Sequence, residues 1–504
     1  MAADFNEANT LISIADAKSL DVLRRLLGDA LDVLGSVGAS RDTPVPAGGP
    51  AASRAFGERA FGGGALLPEQ GDPVGALTRL ITAYASWAVD IGHPATAARM
   101  QCPPLGAAVV ADLVAGLLNQ SLHAWEAGPA GLELERHLIG ELAALVGYGP
   151  EAGGTFTAGG SISNIMSMLV ARDVAFHRRF GSSGLAAGLS GRAARPVVLC
   201  TDTVHFSVDR GAGIAGIGID NILRVPTDSL GRMLPEQADR MLGALTGDDV
   251  PVILLVCAGS TDYGLVDPLP ELAEVARRHG VWLHADAAFG GGALFSDTLR
   301  PMFAGIEQAD SVTMDLHKYG WTPAPAGVFL VKREADLGHL AAQQTSLNAP
   351  DDVAEGFVGR YGTSLQATRR VDALKIAAML GSLGRRGVGD LVDACHGLAL
   401  GAAARIEREP RLELAATPAL SSVLFRFRPA AGTEARADAF NSALRRELMR
   451  RGSAMLARVF LQRDSGRRVF LKLMLLNPAT EPAQLDAVID TVLALALELE
   501  AGGD

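Results

Sequence analysis

Four short segments carry side chains whose types and spacing suit chemistry. Lys318 stands in SVTMDLHKYGWTPAPAGVFLV (Ser311–Val331), in a polar DLHK turn between two strand-like pieces, with His317 beside it. A lysine in such a turn is ordinarily solvated. Desolvated beside another cation, it becomes a nucleophilic amine that forms Schiff bases. Asp286, 32 positions earlier, closes the strand-like run VWLHADAA (Val281–Ala288). A carboxylate there either caps the following loop or holds a protonated ring nitrogen. His205 follows the strand-like PVVLC (Pro196–Cys200), within TDTVHFSVDRGAGIAGIG (Thr201–Gly218). A lone histidine in that place reads first as structural.

The fourth segment, GTFTAGGSISNIMSMLVAR (Gly154–Arg172), runs from a strand-like piece through Gly159-Gly160-Ser161 into a helix. Ile162, Ile165, Met166, Leu169 and Val170 have the spacing of a buried helical stripe. Glycines before a helix expose amide N–H groups at the positive end of its dipole, which suits a phosphate. The alternative is a tight turn with Ser161 as N-cap. Neither G-x-G-x-x-G nor the Walker A pattern is present, which weakens dinucleotide and ATP readings.

Buried strands joined by helices must position these residues. PVVLC, PVILLVCA (Pro251–Ala258) and VWLHADAA are continuous apolar runs of strand length, and Leu269–His279 has helical periodicity. Such alternation predicts a mostly parallel sheet covered on both faces. Open α/β sheets bind ligands beyond the carboxyl ends of their strands, where all four segments fall. Ala107–Gln120 and Gly131–Gly149 read as helices. The stretch Thr43–Gly64, rich in Gly, Pro and Ala, reads as a loop or mobile segment, ending in the turn FGGG (Phe61–Gly64). After about Arg385, SSVLFRFR (Ser421–Arg428) and RVFLKLMLL (Arg468–Leu476) are strand candidates in a smaller α+β domain. The expected division is a helical N-terminal dimerisation segment (1–115), a large α/β domain (116–385) and a small α+β domain (386–504). No repeat has a fixed period.

Composition narrows the class. In 504 residues, 48% are hydrophobic and 20% charged, as in soluble globular proteins. Fifty-eight glycines and 25 prolines are too few for a fibrous or disordered chain. A net charge of −11 without a basic tract repels a nucleic-acid backbone, so no nucleic-acid partner is expected. The longest apolar stretches, Pro104–Leu118 and Val488–Leu497, contain Asp112 and Asp490 and fall short of a membrane span. Asp4 and Glu7 stand where a signal peptide needs positive charge. Cys102, Cys200, Cys257 and Cys395 form no C-x-x-C pair, so a reduced, cytoplasmic setting without disulfide or metal framework is expected.

Seven motifs in order resemble the pyridoxal-phosphate-dependent group II amino-acid decarboxylases. They are LNQSLHAWEAGPAGLELE (Leu118–Glu135), GTFTAGGSISN, TDTVHFSVDRGAGIAGIG, GSTDYGLVDPL (Gly259–Leu269), HADAAFGG, DLHKYGW and SLQATRRVDALKI (Ser364–Ile376). The resemblance runs from about His93 to the C-terminus, and QATRRVDALK is most similar to bacterial diaminobutyrate- and aspartate-type members. It implies fold type I, an aminotransferase-like α/β architecture. It implies that Lys318 holds pyridoxal 5'-phosphate as an internal aldimine, that Asp286 pairs with the pyridinium nitrogen, and that His205 stacks on the ring with Ala288 behind it. Gly160 and Ser161 would bind the phosphate, helped by Asp315 and His317, while Thr261 lies near the ring oxygen or the substrate. Thr368 would reach the phosphate of the other subunit, so that a homodimer shares its active sites. The implied reaction is decarboxylation of an L-amino acid to amine and CO₂.

Two features depart from the family pattern. Where members carry Tyr-Leu in a mobile loop, the corresponding place here is Ser346-Leu347, in a polar stretch from about Gln343 to Gly356. HKYGWTP is also similar to sphingosine-phosphate lyase-like relatives. These keep open another carbon–carbon lyase reaction, or a decarboxylation-linked oxidative deamination giving an aldehyde. A cofactor-binding relative without activity is the third reading.

Overall fold

Consecutive apolar residues in a strand leave both of its faces needing cover. The computed structural model describes residues 10–63, 66–72, 75–189, 194–340, 347–463 and 466–502. After the two-residue β1 (Thr96–Ala97), the apolar runs become β2 (Gly153–Thr157), β3 (Arg195–Cys200), β4 (Ile222–Arg224), β5 (Asp249–Cys257), β6 (Trp282–Ala287), β7 (Ser311–Asp315) and β8 (Gly327–Val331). Among the described residues these seven form one sheet, in the order β2-β8-β7-β6-β5-β3-β4. β3 to β7 pair in parallel, and β8 alone runs against both neighbours, β2 and β7. The expected α/β fold with a mostly parallel sheet is therefore present.

The centre of this sheet is dry. Val252 to Val256 on β5 have no solvent exposure, nor do Ala285 and Ala287 on β6. Full burial of each Val, Leu or Ile contributes about 1.5–3 kcal/mol, so this stretch fixes its own place in the stack. The Gly160–Phe180 helix packs its Met166, Met168 and Val170 on the same core, and Gly181 ends it in the left-handed conformation (φ 70°). Leu269–His279 is helical over the expected residues. Gly106–Leu118 and Pro129–Val146 match the two expected helices, the second closed by Gly147 (φ 100°).

A second sheet, β1-β11-β12-β10-β9, includes β9 (Leu412–Leu414), β10 (Ser422–Phe427), β11 (Met455–Arg463) and β12 (Gly466–Met474). β10 and β12 were expected; β9 and β11 were not. By internal packing the chain divides into residues 100–400 with 416–423, and residues 1–99 with 401–415 and 424–504. The N-terminal helices thus group with the C-terminal segment, whereas the sequence division placed boundaries after residues 115 and 385.

One expectation needs correction. The stretch Thr43–Gly64 is not a loop throughout, because Gly49–Phe61 is a helix. Pro50 occupies its first turn, where a missing N–H costs nothing, and Ala51, Ala52, Ala55 and Ala60 favour the helical backbone. The Phe56 ring stacks on Trp87 at 4.7 Å, which anchors the helix. In the expected mobile stretch, Pro350–Ala354 is a short helix. Ser346 lies outside the described residues.

Candidate active site

The first wall of the site follows β2. Thr157 leads into Ala158, then Gly159, whose φ of 116° is the left-handed region that favours glycine. Gly160 opens the 21-residue helix, and its Cα faces Ala288 and Asp315: an added Cβ would lie 2.9 Å from Ala288 Cβ and 3.1 Å from Asp315 Oδ2. No side chain caps this helix start. Bare backbone at a helix N-terminus is a cradle for an anion.

The second wall follows β7. Asp315 is its last residue, and Lys318 comes one turn later, with Nζ 3.0 Å from Asp315 Oδ2. His317 Nε2 is 3.6 Å from the same oxygen, while its Nδ1 accepts from the Ala326 backbone N–H at 3.2 Å. Asp315 Oδ1 is buried with no hydrogen-bond partner. Such an oxygen costs about 1–3 kcal/mol unless a ligand or solvent satisfies it. Burial lowers the His317 pKa, only partly offset by the Asp315 charge.

Asp286, near the end of β6, is 8% exposed. Its Oδ1 accepts from the Ala288 backbone N–H (3.1 Å) and its Oδ2 from Asn164 Nδ2 (2.7 Å). His205, in the turn after β3, is half-buried, and its Nδ1 is 2.8 Å from Ser207 Oγ. Burial lowers the His205 pKa as well, which favours a neutral ring at neutral pH.

Gly160, Ser161 and Thr261 line one cavity of about 250 Å³, together with Ala288 and His205. Asp286, Asp315, His317 and Lys318 line the same cavity, so nine of the ten expected site residues come together. Thr368 does not: it is exposed and absent from the cavity wall of its own chain. Sequence reasoning missed Met100, Asn164, Cys257, Ser260 and Phe289, which also line the cavity. Asn164 had a legible signal, since it lies on the polar side of the Ile162–Ile165–Met166 stripe, four residues beyond Gly160. Met100 had none.

The donor set fits pyridoxal phosphate: a helix N-terminus for the phosphate, a buried carboxylate at another wall, and a lysine whose amine faces the same space. The class is that of the fold type I pyridoxal-phosphate enzymes. The model of the pyridoxal-dependent decarboxylase conserved domain matches residues 67–428, and the chain belongs to that family. L-2,4-diaminobutyrate decarboxylase of Rhizobium meliloti (strain 1021) is 35% identical over 436 residues, 86% of this chain and 84% of the relative. The Acinetobacter baumannii enzyme of the same name is 32% identical, over 84% and 83% of the two chains. The crystal structure of the glutamate decarboxylase domain of a diaminobutyrate-pyruvate transaminase and L-2,4-diaminobutyrate decarboxylase from Vibrio parahaemolyticus superposes with a TM-score of 0.84. It has 26% identity and covers 95% of this chain and 96% of that one. The protein is a pyridoxal-phosphate-dependent lyase that decarboxylates an amino acid.

Proposed function

We propose that the substrate is L-2,4-diaminobutyrate or a close cationic analogue, released as the diamine with CO₂. The observation that carries this is the charge of the cavity. Among its described lining residues Lys318 is the one Lys or Arg, paired with Asp315 in a wall that also holds Asp286. With Lys318 engaged by the cofactor, an acidic side chain would find no other Lys or Arg in this lining to pair with. The two diaminobutyrate decarboxylases at 35% and 32% identity support the same choice over the acidic amino acid decarboxylase GADL1 of Mus musculus at 29%.

Each side chain then has a role. Lys318 would supply the amine that holds the cofactor covalently, and Asp315 pairs with that amine at 3.0 Å. The Gly160 and Ser161 backbone receives the phosphate, with His317 alongside. Asp286 keeps a proton on the ring nitrogen. Pyridoxal phosphate held by these residues would supply the electron sink that loss of CO₂ requires. His205 and Ala288 would hold the ring between them, and Thr261 would serve the ring oxygen or the substrate; all three line the cavity.

Thr368, exposed on its own chain, serves the partner subunit's site in a homodimer. Exposed apolar stripes support that assembly: Val109, Val110, Leu113 and Val114 on one helix, Leu31 and Leu34 on another, and Leu77, Leu80 and Tyr84 on a third. The N-terminal segment is thereby assigned to dimerisation and the cytoplasm is the assigned compartment. Among the described residues no helix is long and apolar enough to cross a membrane.

The test loads the purified chain with cofactor and measures CO₂, amine and aldehyde from L-2,4-diaminobutyrate, L-aspartate, L-glutamate and cysteine sulfinate. Preferred turnover of diaminobutyrate to 1,3-diaminopropane is expected. Preference for an acidic amino acid would reverse the substrate assignment. Borohydride reduction followed by peptide mapping should place the pyridoxyl group on Lys318, and a label on another lysine would remove its role.

A further inference from the structure

Behind the cavity wall lies a buried hydrogen-bond chain whose direction can be worked out from one end. The Asp286 carboxylate only accepts, so the Asn164 atom 2.7 Å from its Oδ2 is the amide nitrogen. The reversed amide would set oxygen against oxygen. Asn164 Oδ1 therefore faces His284 Nε2 at 3.1 Å, and that nitrogen carries a proton. The Thr313 hydroxyl donates to the same Oδ1 over 3.2 Å. His284 is fully buried and its pKa is lowered to about 4, so the ring is neutral and its Nδ1 accepts. The donor is the Ser311 hydroxyl at 2.8 Å, whose oxygen in turn accepts from the Trp282 indole N–H, also at 2.8 Å. Every member of this arm is satisfied in one arrangement.

The second arm leaves Asn164 toward the cavity. The other amide hydrogen of Nδ2 goes to Ser207 Oγ at 3.0 Å. Ser207 Oγ is 2.8 Å from His205 Nδ1, and the Ser207 backbone N–H points at that same nitrogen over 3.3 Å. A proton on Nδ1 would oppose this backbone donor, so Nδ1 accepts and the Ser207 hydroxyl donates to it. We propose that Asn164 and Ser207 are positioning residues that lock His205 as the Nε2–H tautomer and couple its orientation to the Asp286 carboxylate. One asparagine thus ties together the carboxylate and the imidazole of the cavity, with the Trp282–Ser311–His284 arm fixing which way its amide faces. Outer partners of a functional imidazole commonly set its tautomer in this manner.

The proposal rests on the reading of His205 as a group that faces cofactor and substrate, but its test needs no turnover. The full chain, loaded with cofactor and labelled with ¹³C,¹⁵N-histidine, is measured by magic-angle-spinning nitrogen NMR in mildly alkaline buffer. His205→Gln identifies the His205 signals by difference. Wild type should show unprotonated Nδ1 and protonated Nε2 at His205. Ser207→Ala removes the 2.8 Å hydroxyl and leaves the longer 3.3 Å backbone donor, so an Nδ1-protonated population absent from wild type should appear beside the Nε2–H form, and Ser207→Thr should remove it. In the Ser207 variants the His284 signals, held by Ser311 and by the Asn164 amide oxygen, stay in place and report that the core persists. Where Ser207→Ala does not fold, Asn164→Ala carries the same comparison, since without the amide the Ser207 hydroxyl is free to turn. A protonated Nδ1 in wild type, or a single unchanged tautomer in the variant measured, overturns the proposal. Absence of CO₂ release from every amino acid, with the Nε2–H tautomer intact, would defeat the reading of the site and leave the positioning assignment standing.

Discussion

Asp286 is held by two donors on two oxygens, Ala288 N–H on Oδ1 and Asn164 Nδ2 on Oδ2. An amide offers one acceptor, so Asp286→Asn both loses the charge and forces a donor against a donor. The expected loss in turnover is at least about a hundredfold, the size carried by a preorganised electrostatic partner, at near-normal cofactor content. A variant with near-normal rate would reduce Asp286 to a loop cap. His284 gives a prediction of another kind. Its folded-state pKa of about 4 lies below the unfolded histidine value, so the unfolded chain binds the extra proton between about pH 6.5 and 4. Its contribution is fully present above pH 6.5 and falls as pH drops, by on the order of 3 kcal/mol at the acid end. Denaturant titrations across this range should show a shallower acid loss for His284→Gln than for wild type. Parallel curves would mean that His284 is not titrated by unfolding.

At the scale of the element, the approach of the Gly160–Phe180 helix start to Ala288 leaves no room for a side chain at Gly160. Gly160→Val should weaken cofactor binding about ten- to a hundredfold, from overpacking on the order of 1–3 kcal/mol, with helix content unchanged. Cofactor absorbance titrations read this directly, and unaltered affinity would show that the phosphate sits elsewhere. Two elements escaped the sequence reading for different reasons. β11 alternates buried Ala457, Val459 and Leu461 with exposed Arg458, Phe460 and Gln462, a period of two that was there to be read. Gly49–Phe61 was hidden by its glycines, and its stacking on Trp87 is a tertiary contact that no local pattern announces.

For the whole molecule, the proposed sharing of sites between two subunits makes a complementation prediction. In a mixture of Lys318→Ala and Thr368→Trp chains, each hybrid dimer holds one site with both wild-type residues. Equal mixing should restore up to about a quarter of wild-type turnover, because half of the dimers are hybrids. Each variant alone should be inactive or nearly so. No recovery after mixing, or a fully active monomer in sedimentation, would exclude a shared site.

What the sequence determined by itself was the sheet, its strand ends and the residues placed there. Runs such as PVILLVCA have one stable use, and an α/β sheet puts the loops after its parallel strands on one edge. Lys318, Asp286 and His205 were legible because each stands at or just beyond such a run, within a motif that resembles the family pattern. Tertiary structure alone decided what lies between them. That Asn164 bridges Asp286 and Ser207 depends on its helix, the end of β6 and the start of the Ser207–Ile214 helix meeting within hydrogen-bond range, across separations of 122 and 43 residues. That Asp315 faces Lys318 with one oxygen and keeps the other unpartnered depends on the turn geometry after β7. Local patterns encode burial and periodicity. Directional contacts between distant segments exist only once the core has fixed those segments in space.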